Sequence, residues 1–202
     1  MEKQEEIRKM NDAIFRLINN LAYKNIFVDQ LMIFISKDLW YFYIAIVVLI
    51  FITGLIIKQS SYRKIVFSTL VFVMINLFLS FLIGNIYFVE RPFVHNKVNL
   101  LYPHVADASF PSDHATGTMS IAVGLAKYNK LLSILLMITS FLVGISRVYV
   151  GHHYLLDILG AYVLVFATSF VYKLGLRDKV ENLYETVEKK LFYKLINIKD
   201  KC

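Results

Sequence analysis

The chain is apolar and basic. Of its 202 residues, 57% are hydrophobic and 15% aromatic, and the formal net charge at pH 7 is +7. This composition is typical of a bundle of membrane helices and argues against a soluble domain. The one cysteine, Cys202, is the last residue, so no internal disulfide can form. Residues 1–13 are mostly polar, and we therefore expect no cleavable signal peptide.

The first 38 residues differ from the rest because charged and amide side chains interrupt their apolar positions. Residues 12–37 predict two amphipathic helices that lie in the membrane interface. Four apolar stretches then predict membrane-spanning helices, at 39–57, 65–88, 131–150 and 155–172. Each is close to the roughly 20 residues that an α-helix needs to cross the hydrocarbon core.

Residues 112–126 predict a fifth, shorter helix that is rich in alanine, glycine, serine and threonine. Small residues are typical of helices packed inside a membrane bundle, and at about 1.5 Å per residue this one covers only roughly 22 Å. We therefore expect its start to lie recessed below the membrane surface. The predicted fold class is an all-α integral membrane protein, one domain over residues 1–202, with a bundle of about five transmembrane helices.

Lysine and arginine in the short loops predict the orientation in the membrane. The loops 58–64 and 127–130 are basic, and so is the tail 174–202, which places all three on the cytoplasmic side. The segments 89–113 and 151–154 then face outward. A basic tail of this kind is expected to face membrane lipids rather than nucleic acid.

The charges before residue 38 disagree with this orientation. Six lysines and arginines there would lie outside in a five-span topology, against the positive-inside rule. Either neighbouring acidic residues offset these charges, or residues 14–35 cross the membrane. We prefer the topology with five spans.

Ionisable residues inside apolar segments indicate function, because placing them in a membrane is costly. His153 and Asp157 are four residues apart at the start of a predicted helix, which puts them on one face. There the carboxylate would accept the Nδ1 proton of the imidazole and leave Nε2 as a nucleophile. A His/Asp pair that merely caps a helix is the alternative interpretation.

Two arginines and a second histidine extend this pattern. Arg91 and Arg147 carry planar, permanently charged forks suited to phosphoryl oxygens. Ser112 and Asp113 open the short helix, so backbone N–H groups and the helix dipole would meet an anion there, with the Ser112 hydroxyl as a further donor. These two residues alone would also fit an ordinary helix cap. His114 is not needed for a cap and suits general acid–base catalysis.

Three blocks of the sequence resemble the signature of the type 2 phosphatidic acid phosphatase superfamily. They are Arg91-Pro92, Pro111-Ser112-Asp113-His114 and Ser146-Arg147-x5-His153-x3-Asp157. This resemblance implies a helical membrane bundle with a haloperoxidase-like core and a phosphohistidine mechanism that needs no metal and no cofactor. The roles that it implies are nucleophile for His153, orienting group for Asp157, general acid and base for His114, and phosphate binders for Arg91, Ser112, Asp113 and Arg147.

Within this superfamily, the chain resembles the bacitracin-resistance type of undecaprenyl diphosphate phosphatase. The resemblance lies in residues 90–94, 103–114 and 150–154. This implies hydrolysis of an isoprenoid diphosphate at the outer face of a bacterial plasma membrane, which returns the carrier lipid for cell-wall synthesis. Phosphatidylglycerophosphate or phosphatidic acid is the alternative substrate. A non-catalytic scaffold or lipid-binding membrane protein is the alternative from another class. The sequence does not predict the oligomeric state.

The chain departs from the superfamily pattern at one position. The first block usually begins with a lysine seven residues before the arginine, and Gly84 stands there. The bacitracin-resistance type tends to lack this lysine as well. Three basic residues of the following loop are candidates to contact the second phosphate: His95, Lys97 and His104. We rank Lys97 highest, because it is charged throughout the neutral pH range.

Overall fold

A computed structural model describes residues 2–199 as helices joined by turns and by one longer loop, residues 96–112. The helices are α1 (Glu2–Asn19), α2 (Ile26–Lys37), α3 (Leu39–Ile56), α4 (Ser60–Ile86), α5 (Pro92–His95), α6 (Asp113–Gly124), α7 (Lys130–Tyr149), α8 (Leu155–Val171) and α9 (Arg177–Lys199). A 3-10 turn at Leu125–Lys127 extends α6, and a π turn at Tyr172–Leu176 joins α8 to α9. Cys202 and the end of the basic tail lie outside the described residues.

Four helices are long and apolar enough to cross a membrane: α3, α4, α7, and α8 with its continuation. Their outer sides expose large apolar side chains, among them Leu49, Phe78 and Val163. Water penalises an apolar surface of this extent, whereas hydrocarbon does not. The chain is therefore a multi-pass membrane protein, and the four predicted spans are confirmed to within a few residues.

The short helix α6 is the fifth member of the bundle. Its 12 residues contact α3, α4, α7 and α8, and nearly all of its side chains from Ala115 onward are buried. At about 1.5 Å per residue it is roughly 18 Å long, so it does not reach across the hydrocarbon core by itself. The prediction of a small-residue helix inside the bundle is confirmed.

The end of the bundle that carries the loops 57–59 and 125–129 is closed by charge pairs. Arg63 donates to Glu188 of α9 over 2.6 Å. α4 begins at Ser60, five residues earlier than predicted, because this pairing lets the charged Arg63 lie buried in its first turns. Gly175, with a φ of +143°, breaks the helix after α8, and α9 then packs against α4. Arg177 Nη2 donates to the carbonyl of Gly124 over 3.1 Å.

The opposite end, formed by residues 87–112 and 150–154, is called the loop end below. The N-terminal helices α1 and α2 pack there against α7 and α8. Neither is long and apolar enough to cross a membrane, and residues 20–25 separate them, so no single helix covers residues 14–35. The N-terminal charges consequently lie at the loop end.

α1 is bound into the loop end through buried polar contacts rather than only lying on the surface. Asn19, which is 2% exposed, donates from Nδ2 to the carbonyls of Tyr149 and Asn99 over 2.8 and 2.9 Å. Asn11 Oδ1 accepts from the Leu156 N–H over 3.2 Å. α1 therefore fixes both ends of the turn between α7 and α8.

Candidate active site

The turn between α7 and α8 brings two histidines into the interior. Gly151 has a φ of +89°, and a Cβ there would lie 3.0 Å from the carbonyl oxygen of Asn99. Both the left-handed backbone and the close approach therefore require glycine at this position. His152 and His153 follow directly, and both are buried.

Two hydrogen bonds define the tautomer of His153. Its Nδ1 lies 2.9 Å from the carbonyl oxygen of Ser109, which can only accept, so Nδ1 carries the proton. Its Nε2 lies 2.9 Å from Nη1 of Arg91, which can only donate, so Nε2 presents its lone pair. Burial, followed by the charges of Arg147 and Arg91, lowers the pKa of His153 well below its ordinary value. The imidazole is therefore neutral at neutral pH, which is the form that acts as a nucleophile.

Asp157 acts on His153 less directly than its spacing in the sequence predicts. His153 Nδ1 and Asp157 Oδ2 are 3.5 Å apart, and the carbonyl of Ser109 takes the Nδ1 hydrogen bond instead. The reason is that α8 begins only at Leu155, so His153 precedes the helix and does not share a helical face with Asp157. Asp157 Oδ2 accepts from the Ser109 hydroxyl over 2.5 Å and from the Tyr154 N–H over 2.8 Å.

Ser109 thus links the imidazole to the carboxylate, with its hydroxyl 3.3 Å from His153 Nδ1. Sequence reasoning missed this residue. Its position three residues before Ser112 was the available signal, but only the folded loop shows the contact.

Arg91 contacts His153 while remaining paired with an acid. Its Nε donates to Asp107 Oδ1 over 2.7 Å, and its Nη1 donates to the His152 carbonyl over 3.1 Å as well as facing His153. Arg91 is 6% exposed, and the Ala108 carbonyl accepts from its Nη2 over 3.4 Å. The guanidinium is therefore held at the nucleophilic nitrogen.

Arg147 differs from the other buried arginines in its charge balance. Each of the others pairs with a carboxylate: Arg63 with Glu188, Arg91 with Asp107 and Arg177 with Glu181. Arg147 is 1% exposed, yet no carboxylate oxygen of residues 2–199 lies within 4.0 Å of it. A buried guanidinium without a counter-charge is costly, so this position suits an anion.

The contacts that Arg147 does make are with neutral oxygens. Its Nη1 donates to the Tyr102 hydroxyl over 2.9 Å and to Ser36 Oγ over 3.2 Å. Its Nε and Nη2 are buried and have no hydrogen-bond partner in the part of the chain that the structure describes. Two donors of this arginine therefore remain for a phosphoryl group. Neither Tyr102 nor Ser36 was predicted from the sequence.

The start of α6 adds donors of its own. Ser112 is the N-cap residue, but its hydroxyl makes no capping hydrogen bond and, within residues 2–199, is buried without a partner. The Asp113 carboxylate accepts from Ser80 of α4 over 2.8 Å, so only the backbone N–H of Asp113 remains suited to an anion. His114 is half-buried, and its ring packs edge-on against Trp40 at 6.4 Å.

The candidates for the second phosphate lie in different places. His104 is half-buried with its ring 4.6 Å from that of His152, and the charges of Arg91 and Arg147 both act on it. Lys97 is exposed and lines a small cleft with Asp12 and Arg16 of α1. His95, also exposed, lies 2.7 Å from Glu90. The position of the loop therefore favours His104 over Lys97, against the ranking from the sequence.

Gly84, which stands where the first block usually has a lysine, is in close contact with the loop before α6. The loop before α6 rests directly on α4 there, so a Cβ at Gly84 would lie 3.2 Å from Ala108 Cβ and 3.3 Å from the Phe110 carbonyl oxygen. Any side chain would have to displace this loop. Within the described residues, no group of three or more His, Cys, Asp and Glu side chains is arranged to hold a metal ion.

Comparison with known proteins places the chain in a family. The model of the PAP2 superfamily matches residues 62–180. The chain is 35% identical over 188 residues to the undecaprenyl-diphosphatase BcrC of Bacillus subtilis, covering 90% of this chain and 95% of that one. It is 34% identical over 155 residues to YbjG of Escherichia coli, covering 76% of each. The structure of Aquifex aeolicus LpxE superposes with a TM-score of 0.64 at 25% identity, covering 80% of this chain and 93% of that one.

The structure is a membrane bundle in which a buried histidine lies between an arginine and a carbonyl oxygen. Together with these matches, it defines the class of protein as an integral-membrane phosphatase that hydrolyses lipid phosphates. The family model matches more than half of the chain, and the Bacillus relative spans nine-tenths of it. The chain therefore belongs to the PAP2 superfamily, and the resemblance seen in the three sequence blocks is confirmed.

We expect the folded protein to lose stability as the pH falls below about 6.5, the ordinary pKa of histidine. Burial lowers the pKa of His152 to about 3 and that of His153 well below its ordinary value, whereas the unfolded chain takes up a proton at each residue. The unfolded state thus binds more protons in this range, and acid favours it by up to about 1.4 kcal/mol per pH unit for each histidine. Thermal unfolding in detergent, followed from neutral to acid pH, measures the effect.

The matched variants are His152→Asn, which should make the pH dependence shallower because only His153 then remains of the two, and His95→Asn at an exposed position, which should leave it unchanged. An unfolding midpoint that stays constant down to about pH 4.5 would contradict the assignment of two buried neutral histidines.

Proposed function

We propose that this protein hydrolyses undecaprenyl diphosphate to undecaprenyl phosphate and inorganic phosphate. The observation that carries the proposal is the buried Arg147, whose charge has no carboxylate partner within residues 2–199 and whose Nε and Nη2 remain free for an anion. Tyr102 links Arg147 to the turn that carries His153, because its hydroxyl accepts from Arg147 Nη1 over 2.9 Å and its carbonyl oxygen lies 2.9 Å from Nε2 of the adjacent His152. The substrate class is supported by the Bacillus relative, which is an undecaprenyl-diphosphatase.

In the proposed reaction, His153 Nε2 attacks the terminal phosphorus, and an N–P bond forms as the bond to the bridging oxygen breaks. His114, which takes up a proton from solvent when the anionic head group lies beside it, donates that proton to the departing lipid phosphate. Water then attacks phosphorus, His114 accepts a proton from the water, and the N–P bond breaks, so that inorganic phosphate leaves and His153 is free again. The barrier is lowered mainly by fixed donors around the three equatorial oxygens. Those donors are Arg147, the Ser112 hydroxyl and the N–H groups at the start of α6.

Arg91 changes partners in this scheme. Without substrate its Nη1 occupies the lone pair of His153 Nε2 at 2.9 Å, while Asp107 holds the other side of the guanidinium. A phosphoryl group that approaches Nε2 offers oxygens that are stronger acceptors than the imidazole nitrogen. Arg91 then donates to the phosphoryl group and releases the nucleophile, while its pairing with Asp107 limits how far it moves.

Asp157 and Ser109 would stabilise the intermediate. Phosphorylation of Nε2 leaves the proton on Nδ1, so the ring becomes cationic. The Ser109 carbonyl at 2.9 Å and the Asp157 carboxylate at 3.5 Å both lie on that side of the ring. They favour the charged ring and hold it in the orientation of attack.

We expect purified protein to release phosphate from undecaprenyl diphosphate faster than from undecaprenyl phosphate, phosphatidic acid or phosphatidylglycerophosphate. His153→Ala and His114→Ala should each lower kcat/KM by about a thousandfold or more, because each removes a chemical step. Activity should persist in EDTA and be inhibited by vanadate, which adopts the geometry of a transferring phosphoryl group.

The matched control is His95→Ala, which removes an exposed histidine of the same end of the protein and should keep wild-type rates. Preference for a glycerophospholipid would assign another substrate to the same chemistry. Absence of phosphate release from every lipid would leave a non-catalytic lipid-binding role. Wild-type turnover by His153→Ala would move the nucleophile elsewhere.

The second phosphate of the substrate is assigned to His104 rather than Lys97. His104 is in ring contact with His152 and within the influence of both site arginines, whereas Lys97 lies beside α1. Partial burial and the arginines lower the pKa of His104, so it is mostly neutral without substrate. A diphosphate beside it favours the imidazolium form, which donates a charged hydrogen bond.

We therefore expect His104→Ala to lower kcat/KM for undecaprenyl diphosphate by roughly tenfold, the effect of one charged hydrogen bond, and to affect a lipid monophosphate less. Lys97→Ala is the control, since it removes a permanent charge from the same loop and should change neither substrate. Equal losses on both substrates with His104→Ala would assign the second phosphate to other groups.

The proposed site of action is the outer face of the bacterial plasma membrane, where the product re-enters cell-wall synthesis. The basic loops at 58–64 and 127–130 lie at the end opposite to the site, and basic loops favour the cytoplasm. The N-terminal charges at the loop end count less because acidic residues accompany them, as Glu5 does with Lys9 at 2.8 Å.

Cysteine labelling tests this orientation in a Cys202→Ser background. Val105→Cys, at a loop position that is 73% exposed, should react with a membrane-impermeant maleimide added to intact cells. Lys130→Cys, exposed at the opposite end, should react only after the membrane is permeabilised. The reverse pattern would place the site in the cytoplasm.

A further inference from the structure

We infer that Ser36 and Tyr102 are positioning residues for Arg147, which makes helix α2 part of the active site. Ser36 stands in the last turn of α2 and is 0% exposed. It precedes residues 62–180, which the family model matches. The inference rests on the proposed role of Arg147 as a phosphate binder.

Three side chains form a closed hydrogen-bonded group. Arg147 Nη1 donates to the Tyr102 hydroxyl over 2.9 Å and to Ser36 Oγ over 3.2 Å, with the Ser36 carbonyl at 3.5 Å. The two hydroxyls are 2.8 Å apart, and one of them donates to the other. Each oxygen thus has a partner, and the group holds one end of the guanidinium at a fixed position.

Because Nη1 is held by the two hydroxyls, Nε and Nη2 of the guanidinium are the atoms that remain available to an anion. Nε and Nη2 form one side of the planar guanidinium, where two N–H bonds point in parallel and can bind two oxygens of one phosphoryl group. This is the side without partners in the described part of the chain. The neutral acceptors on Nη1 orient the guanidinium and leave its positive charge intact. A carboxylate in the same place would cancel that charge.

The Ser36 hydroxyl does not satisfy a carbonyl of its own helix, as the hydroxyls of some buried helix serines do. The hydroxyls of Ser146 and Ser169 return to backbone carbonyls three residues earlier in their own helices. Ser36 instead bonds to two residues that are 66 and 111 positions away in sequence. A serine that satisfied only its own helix would not need α2 to dock at this point.

We expect Ser36→Ala and Tyr102→Phe each to lower kcat/KM for a lipid phosphate by about tenfold, and to weaken vanadate inhibition by a similar factor. The matched control is Ser133→Ala, another buried serine of 1% exposure, whose hydroxyl binds the Ala122 carbonyl over 2.7 Å away from the site. Ser133→Ala should change neither constant by more than about twofold while lowering the unfolding temperature comparably.

A double-mutant cycle separates positioning from a general effect on folding. Arg147→Lys removes the fork, so adding Ser36→Ala to it should cost less than about twofold further. If Ser36→Ala lowers activity equally with arginine or lysine at position 147, or no more than Ser133→Ala does, the inference is wrong. If Ser36→Ala does not purify as a folded protein, Tyr102→Phe, which removes only a hydroxyl, gives the same comparison.

Arg147→Ala keeps the proposed function separate from this inference. If that variant hydrolyses lipid phosphates like the wild type, Arg147 is not the phosphate binder and the proposed function itself fails. If it is inactive while Ser36→Ala and Tyr102→Phe behave like Ser133→Ala, the function stands and only the positioning role fails.

Discussion

The rest of the structure depends on burying the charge of Arg147 in an apolar bundle without an acid beside it. Taking a guanidinium out of water costs several kcal/mol unless hydrogen bonds and a counter-charge replace its hydration. The protein supplies neutral oxygens from α2 and from the loop before α6, but no carboxylate within the described residues. The missing counter-charge then has to come from the substrate, which makes an anion the natural ligand of the folded state.

That requirement accounts for the way the loop end is assembled. His153 sits on a turn that Asn19 and Asn11 of α1 hold from one side and Ser109 and Arg91 hold from the other. The long helices supply a rigid frame, and the short α6 begins at the loop end and packs against α3, α4, α7 and α8. Phosphoryl transfer gains mainly from fixed donors, so a turn held from two sides is what the chemistry needs.

The sequence predicts the parts of this structure that depend on local patterns. Charge-free runs of about 20 residues have few alternatives to a membrane helix, and ionisable residues inside such runs indicate the site. Ser109, Tyr102 and Ser36 could not be found in this way, because they reach His153 and Arg147 across 44, 45 and 111 residues. Hydroxyl groups are common and neutral, so nothing local distinguishes them. The sequence predicted a direct hydrogen bond from His153 to Asp157, but the two groups are 3.5 Å apart because α8 begins two residues after the histidine.

The charge of the site changes with its ligand. Asp107 pairs with Arg91, so among the described residues of the site the guanidinium of Arg147 is the one without a counter-charge. A permanent lysine at position 84 would add a second such charge, and it would also require the loop resting on Gly84 to shift by a few tenths of an ångström. If His104 contacts the second phosphate as proposed, it avoids that cost, because partial burial and both arginines lower its pKa and a diphosphate beside it would favour the protonated form. Loss of that proton with the phosphate would then let the site bind a highly charged head group without a fixed excess of positive charge that retains the product.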